Sequence, residues 1–120
     1  MALHESGEMY LENILILKDK NETVRAIDLA NFMNFSKPSV SRGLSLLKSG
    51  GYITVMEDGG INLTKKGKEK AEKIYEKHKI LLSALVSLGV DEETARADAC
   101  KIEHVISDTS FEKIKDRYGK

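Results

Sequence analysis

The stretch that most restricts how this chain can fold is "SKPSVSRGLSLLKSGGYITVMEDGGINLT", residues 36–64. Ser36 suits a helix cap, because its hydroxyl can accept a hydrogen bond from an N–H of the first turn. Pro38 falls in that first turn, where its missing N–H costs nothing. Val40, Leu44 and Leu47 recur at helical spacing as a buried stripe, and Ser49-Gly50-Gly51 ends the helix. "YITV" and "INLT" flank Asp58-Gly59-Gly60 and read as a β-hairpin around a turn. A helix opening with Ser, Lys, Ser, Ser and Arg and followed directly by a hairpin reads as the second helix of a helix-turn-helix with its wing.

The flanking residues complete the pattern. In "SGEMYLENILILKDKN" Ser6 reads as a cap, Glu8 as a first-turn acid, and Tyr10, Ile14 and Leu17 as the inner stripe of a helix over Glu8–Lys20. "NETVRAIDLANFMNF" predicts a short second helix with Val24, Ile27, Leu29, Ala30 and Met33 facing inward. From Thr64 a long helix is expected, apolar at Ile74, Leu81, Leu85 and Leu88, with Gly89 closing it. "DEETARADACKIEHVIS" opens with acids that suit a helix N-terminus, and "DTSFEKIKDRYGK" predicts a last short helix. The expected fold class is therefore mainly α with a small β wing: a winged helix-turn-helix over 1–70, then a helical domain over 71–120.

Composition narrows the functions. With 41% apolar and 32% charged residues among 120 the chain is an ordinary globular one,, and no apolar run reaches membrane-spanning length. The start "MALHESGEMY" has no basic region followed by an apolar one, so no signal peptide is expected and the protein is expected in the cytoplasm. The net charge of zero argues against a general polyanion binder, yet the charge is uneven. Residues 37–70 carry seven Lys/Arg against three Asp/Glu, residues 1–36 three against six, and residues 71–120 nine against ten. Nucleic acid, if bound, is expected on that basic middle third.

Ser36, Lys37, Ser39, Ser41 and Arg42 lie near the start of the second helix of the pair, the part that touches DNA in helix-turn-helix proteins. Hydroxyls and Lys37 suit phosphate oxygens, and the Arg42 fork suits guanine in the major groove. Lys65, Lys66 and Lys68 offer further phosphate contacts, although a lysine run there also serves solubility alone. "CKIEH" holds the single cysteine, with Glu103 and His104 three and four residues on, so all three share one helix face. Thiolate, imidazole and carboxylate suit zinc, iron(II), cobalt or nickel. The bland alternative is Cys100 as core filler and His104 as a surface residue. His78 interrupts the apolar stripe of the long helix, where it is either a satisfied core residue or a ligand. Met9 and Glu12 share a face of the first helix, where they are either core and solvated residues or two more donors.

"EMYLENILIL", "FSKPSVSRGLSLLKSGGYI" and "LTKKGKEKAEKIYEKHKILLSALVSLGVDEETARADACKIEHVIS", in that order, resemble the metal-dependent repressors of the diphtheria toxin repressor and manganese transport regulator type over nearly the whole chain. The resemblance implies a winged-helix DNA-binding domain, a helical dimerisation domain and metal bound between the two. It implies a homodimer on a double-stranded operator of palindromic half-sites, with no membrane and no small-molecule substrate. Met9, Cys100, Glu103 and His104 match the primary site of the iron-responsive branch. Glu12 matches a ligand of the manganese branch, and His78 a histidine that both use. Leu82 and Arg96 stand where the iron branch's ancillary site has a carboxylate and a histidine. The length resembles the manganese type, so the further C-terminal domain of many iron-type members is not expected.

These matches predict a metal-activated transcriptional repressor controlling metal-homeostasis genes. The soft donors Met9 and Cys100 favour Fe2+ over Mn2+, while Co2+, Ni2+ or Zn2+ would substitute in vitro. Ligation needs a deprotonated thiol and a neutral imidazole, so activation is expected to weaken in acid. A competing expectation is a thiol-based redox-sensing winged-helix regulator that releases DNA when Cys100 is oxidised. An enzyme built on a Cys100/His104 pair ranks lowest, since no oxyanion donors or cleft accompany it; the chain is expected not to be an enzyme.

Overall fold

The computed structural model describes residues 5–119. In chain order they form α1 (Glu5–Lys20), α2 (Ala26–Met33), α3 (Lys37–Ser49), β1 (Ile53–Val55), β2 (Ile61–Leu63), α4 (Lys65–Ser87), α5 (Glu92–Ile102) and α6 (Asp108–Tyr118). This is the mainly α architecture with a two-stranded antiparallel wing that the sequence predicts. Two compact units divide the chain, 1–72 and 73–120.

In the first unit α1 starts at Glu5, so Ser6 lies within the helix and does not cap it. Tyr10, Leu11, Ile14 and Leu17 are buried along one face of α1. Val24, just before α2, joins them with Leu29 and Ala30 from α2 and Val40, Leu44 and Leu47 from α3. Each such aliphatic side chain contributes about 1.5–3 kcal/mol when fully buried. Ile27 departs from expectation at 43% exposed. An eight-residue helix presents little more than two turns, and Leu29 with Ala30 fill its inner face.

The turn between α2 and α3 is set by Asn34, which takes a left-handed conformation at φ 57°. Asparagine tolerates that region better than most residues. Phe35 N–H then returns to the Ala30 carbonyl at 3.0 Å. Ser36 caps α3 as expected, accepting from the Ser39 N–H at 3.3 Å.

In the wing, Ile53 pairs with Leu63, Thr54 with Asn62 and Val55 with Ile61. Gly59 turns the loop at φ 88°, and the Asp58 carboxylate accepts from the Gly60 N–H at 2.9 Å. Three ties hold the hairpin to α1 and to the residues just before α2. Ile61 N–H donates to the Val24 carbonyl at 2.7 Å. Lys18 on α1 donates to the Ile61 carbonyl at 3.0 Å and to Asn62 Oδ1 at 2.6 Å. Arg25 Nε donates to the Asp58 carbonyl at 2.9 Å. At the start of α4, Gly67 runs so close to the Tyr52 carbonyl that no Cβ fits between them.

In the second unit Ile74, Leu81 and Ala84 of α4 are buried, with Ala95 and Ala99 of α5 and Phe111 of α6. Gly89, at φ 101°, ends α4, and the Val90 N–H reaches back to the Leu85 carbonyl at 3.1 Å,. Leu88, expected in the inner stripe, is 68% exposed. It lies just past Ser87, the last residue of α4, and its N–H still closes the helix on the Ala84 carbonyl at 3.1 Å while its side chain faces solvent. Asp91 caps α5 through the Thr94 N–H at 2.9 Å, and Ser107 caps α6 through the Ser110 N–H at 3.1 Å. Lys77 pairs with Asp108 at 3.6 Å and Lys115 with Glu76 at 2.8 Å. No described helix is long and apolar enough to cross a membrane.

Candidate metal centre and nucleic-acid face

The predicted triplet falls at the end of α5. Cys100 is half-buried in the last turn of the helix. The helix stops at Ile102, earlier than the triplet's spacing assumes, so Glu103 and His104 sit just beyond it. The spacing argument survives because Glu103 keeps helical angles (φ −59°, ψ −25°) and its N–H bonds the Ala99 carbonyl at 3.0 Å. One ligand atom from each of Cys100, Glu103 and His104 lies within 4.8 Å of the other two. Two donors bound to one ion at about 2.0–2.3 Å each can be no more than roughly 4.6 Å apart. Small side-chain rotations therefore suffice to bring the three donors onto one cation.

Glu103 is the centre of the group. Its side chain is buried, and its two oxygens face two imidazoles. His78 Nδ1 lies 2.8 Å from Oε2, and His104 Nε2 lies 3.2 Å from Oε1. The His104 side chain is itself fully buried, against the bland reading of a surface histidine. The second unit thus brings together His78 from α4 and Cys100, Glu103 and His104 from the end of α5. A buried carboxylate between imidazoles, next to a thiol, is the donor chemistry of a borderline-to-soft divalent ion. The residues present fit such a group.

Met9 and Glu12 lie on α1 in the first unit. Met9 is half-buried and Glu12 is buried, so Glu12 is not the solvated carboxylate of the bland reading.

The candidate nucleic-acid face is α3. Its packing side is Val40, Gly43, Leu44 and Leu47, and the opposite side leaves Lys37, Ser41, Arg42, Ser45 and Leu46 open to solvent. Ser41, Arg42, Ser45 and Leu46 line one shallow surface depression. The helix has no acidic residue and carries Lys37, Arg42 and Lys48, so its outer face is electrostatically suited to phosphate. Of the five predicted contacts, Lys37, Ser41 and Arg42 point outward. The Ser36 hydroxyl serves the cap and donates to Ser39 Oγ at 2.9 Å, and Ser39 is half-buried. Ser45 and Leu46, one turn beyond Ser41 and Arg42, are absent from the sequence-based set; their i+4 spacing from those residues is the signal that identifies them. Of the lysines after the wing, Lys66 is engaged, donating to the Gly50 carbonyl at 2.8 Å and lying 4.3 Å over the Tyr52 ring.

Comparison with known proteins adds an independent finding. Residues 2–61 match the family model described as "Iron dependent repressor, N-terminal DNA binding domain", and residues 64–120 match "Iron dependent repressor, metal binding and dimerisation domain". An uncharacterized HTH-type transcriptional regulator of Methanocaldococcus jannaschii is 40% identical over 115 residues, covering 94% of this chain and 92% of the relative. The iron-dependent repressor IdeR of Mycobacterium tuberculosis is 33% identical over 107 residues, covering 88% of this chain and 46% of its own length. The solved structure of the manganese regulator SloR superposes with a TM-score of 0.83 at 27% identity, over 97% of this chain and 54% of that one. The chain thus spans about half the length of these last two proteins and nearly all of the first.

Proposed function

The chain belongs to the iron-dependent repressor family, the metal-dependent transcriptional repressors of the diphtheria toxin repressor and manganese regulator type, and on that premise we propose that it is a metal-activated repressor that binds operator DNA as a homodimer in the cytoplasm. The observation that carries this reading is the Cys100–Glu103–His104 cluster, built around a buried carboxylate, in a chain that also carries an acid-free, basic reading helix.

The ligand set follows the family resemblance: Met9, Cys100, Glu103 and His104 as the primary donors, with Glu12 and His78 contributing. A bound divalent cation supplies positive charge that balances the Cys100 thiolate and the Glu103 carboxylate. The sulfur donors Met9 and Cys100 favour iron(II) over manganese(II) as the physiological metal. Within the second unit, the His78 hydrogen bond holds the Glu103 carboxylate oriented before any ion arrives, which reduces the ordering that binding requires,. In the first unit, α1 carries Met9 and Glu12 and packs on α2 and α3, so the helix that offers donors also supports the helix that reads DNA.

Activation is then a population shift, limited by how much more tightly metal binds the DNA-competent state than the alternative. On the DNA, Lys37 contacts phosphate, and Ser41 and Arg42 face the major groove. A dimer places two such helices on half-sites about one helical turn apart, which makes the operator palindromic. The Cys100–Glu103–His104 cluster supports Cys100 as a ligand, and no observation favours redox sensing.

The deciding experiment enriches binding duplexes from random-sequence DNA. Affinity for the enriched duplex is then titrated with iron(II) anaerobically, with manganese(II) and with chelator, alongside a count of bound metal. DNA binding that rises with metal and falls with chelator supports the proposal. Equal binding under all conditions overturns it.

A further inference from the structure

Between Met9 and Glu12 on α1 stands Tyr10, a residue that the metal and DNA readings leave without a role. Its side chain is buried in the core and also meets α3 and the residue before its cap. The Tyr10 hydroxyl donates to the Ser39 carbonyl at 3.2 Å, in the first turn of α3. Its ring meets Phe35, the residue before the α3 cap, edge to face, with centroids 6.0 Å apart and planes at 90°.

The ring also fills a notch at Gly43 of α3. A Cβ added there would lie 2.6 Å from Tyr10 Cδ2 and 2.9 Å from Cζ, well inside van der Waals contact. A glycine in mid-helix lowers stability by about 0.8–1.0 kcal/mol relative to alanine, so its presence at the point of contact makes room for the ring. Tyr10 therefore grips α3 at three places: before the cap, in the first turn, and one turn later.

We infer that Tyr10 is the positioning residue that passes the state of α1 to the reading helix, so that the metal-dependent gain in DNA affinity runs through the Tyr10–Gly43–Ser39 contact. The inference rests on the proposed function, because it takes Met9 and Glu12 as donors and α3 as the DNA reader. Its physical content is short and local. A rotation or shift of α1 that moves Met9 and Glu12 must carry Tyr10 with it. The ring cannot move relative to α3 without leaving the Gly43 notch or losing the Ser39 bond. Packed contacts of this kind have discrete arrangements rather than a continuous range, which is what a switch needs.

The test compares wild type, Tyr10→Phe and Gly43→Ala on the duplex enriched from random DNA. The quantity read is the ratio of DNA affinity with saturating manganese(II), or anaerobic iron(II), to affinity with chelator. Melting temperature and bound-metal count are measured in parallel. Tyr10→Phe keeps the ring and removes only the hydroxyl; its affinity ratio should fall roughly three- to tenfold, with metal count and melting temperature close to wild type. Gly43→Ala forces the ring out and should lower the ratio further, and if it fails to fold Tyr10→Phe decides alone.

A ratio equal to wild type in Tyr10→Phe overturns the inference. So does an equal loss with and without metal, the mark of a merely structural contact. If wild type itself shows no dependence on metal, the proposed function fails and this inference falls with it; a metal-responsive wild type with unaffected variants refutes the role of Tyr10 alone.

Discussion

Glu103→Gln separates the structural role of the buried carboxylate from its proposed role as a ligand. In the native side chain two oxygens face His78 Nδ1 at 2.8 Å and His104 Nε2 at 3.2 Å. An amide of the same shape keeps an oxygen acceptor for His78. A hydrogen bond to a charged group contributes about 1.5–3 kcal/mol and a neutral one about 0.5–1.5, so the swap removes about 1 kcal/mol at the His78 contact. Against this, a buried carboxylate loses several kcal/mol of hydration that an amide does not, so the two effects oppose each other. Metal-free Glu103→Gln is expected within about 2 kcal/mol of wild type.

Ligation is a different matter. At free metal one hundredfold above Kd, linkage stabilises wild type by about 2.7 kcal/mol. With the anionic donor gone and the site about a hundredfold weaker, the same metal concentration leaves about 0.4 kcal/mol. Urea denaturation of both proteins, with chelator and with manganese(II) at that concentration, reads the two effects separately. Metal-induced stabilisation above about 2 kcal/mol in the variant would refute ligation by Glu103. A metal-free loss above about 4 kcal/mol would show that the carboxylate is held for structure.

Other perturbations have equally definite outcomes. Cys100→Asp exchanges a soft donor for a hard one and should raise the potency of manganese(II) relative to iron(II) in metal-dependent DNA binding; an unchanged order of potency would remove Cys100 from the selectivity of the site. Lys37→Ala should weaken binding to all sequences alike and reduce the salt slope by about one, whereas Arg42→Ala should lose about 1–3 kcal/mol and relax selectivity at one base pair. The Thr94 N–H holds the Asp91 carboxyl below the usual carboxylate range. A carboxylate so depressed contributes stability above its unfolded pKa and loses it as the pH falls through the folded value. Asp91→Ala should therefore lower Tm at pH 7, with the gap to wild type closing below about pH 4.

The reading helix and wing were legible because their signals are local and mutually consistent: a cap at Ser36, a proline in the first turn, a stripe at Val40, Leu44 and Leu47, and a glycine turn,. Ile27 and Leu88 were misread for a shared reason. Periodicity marks apolar residues but not where the helix carrying them begins or ends, and each lies within two residues of such an end. The start of α1 at Glu5 was hidden because Ser6 resembles a cap that the helix does not use. At the metal cluster the residue types and spacing were readable. The pairing of His78 with Glu103, across 25 positions of sequence, was not. The Tyr10 contact was invisible for a similar reason, since its counterpart, Gly43, has no side chain to announce it.

The division of α3 into two faces has a consequence for how such a protein can change. Val40, Gly43, Leu44 and Leu47 carry its attachment to the fold, while Ser41, Arg42, Ser45 and Leu46 touch little else in the molecule and stand in water. On the proposed reading of α3, substitutions on the outer side alter which operator is recognised while the packing of α3 on its supporting helices is left intact. Duplicated copies of a gene for such a proposed repressor would be free to diverge in target while keeping the same support for α3.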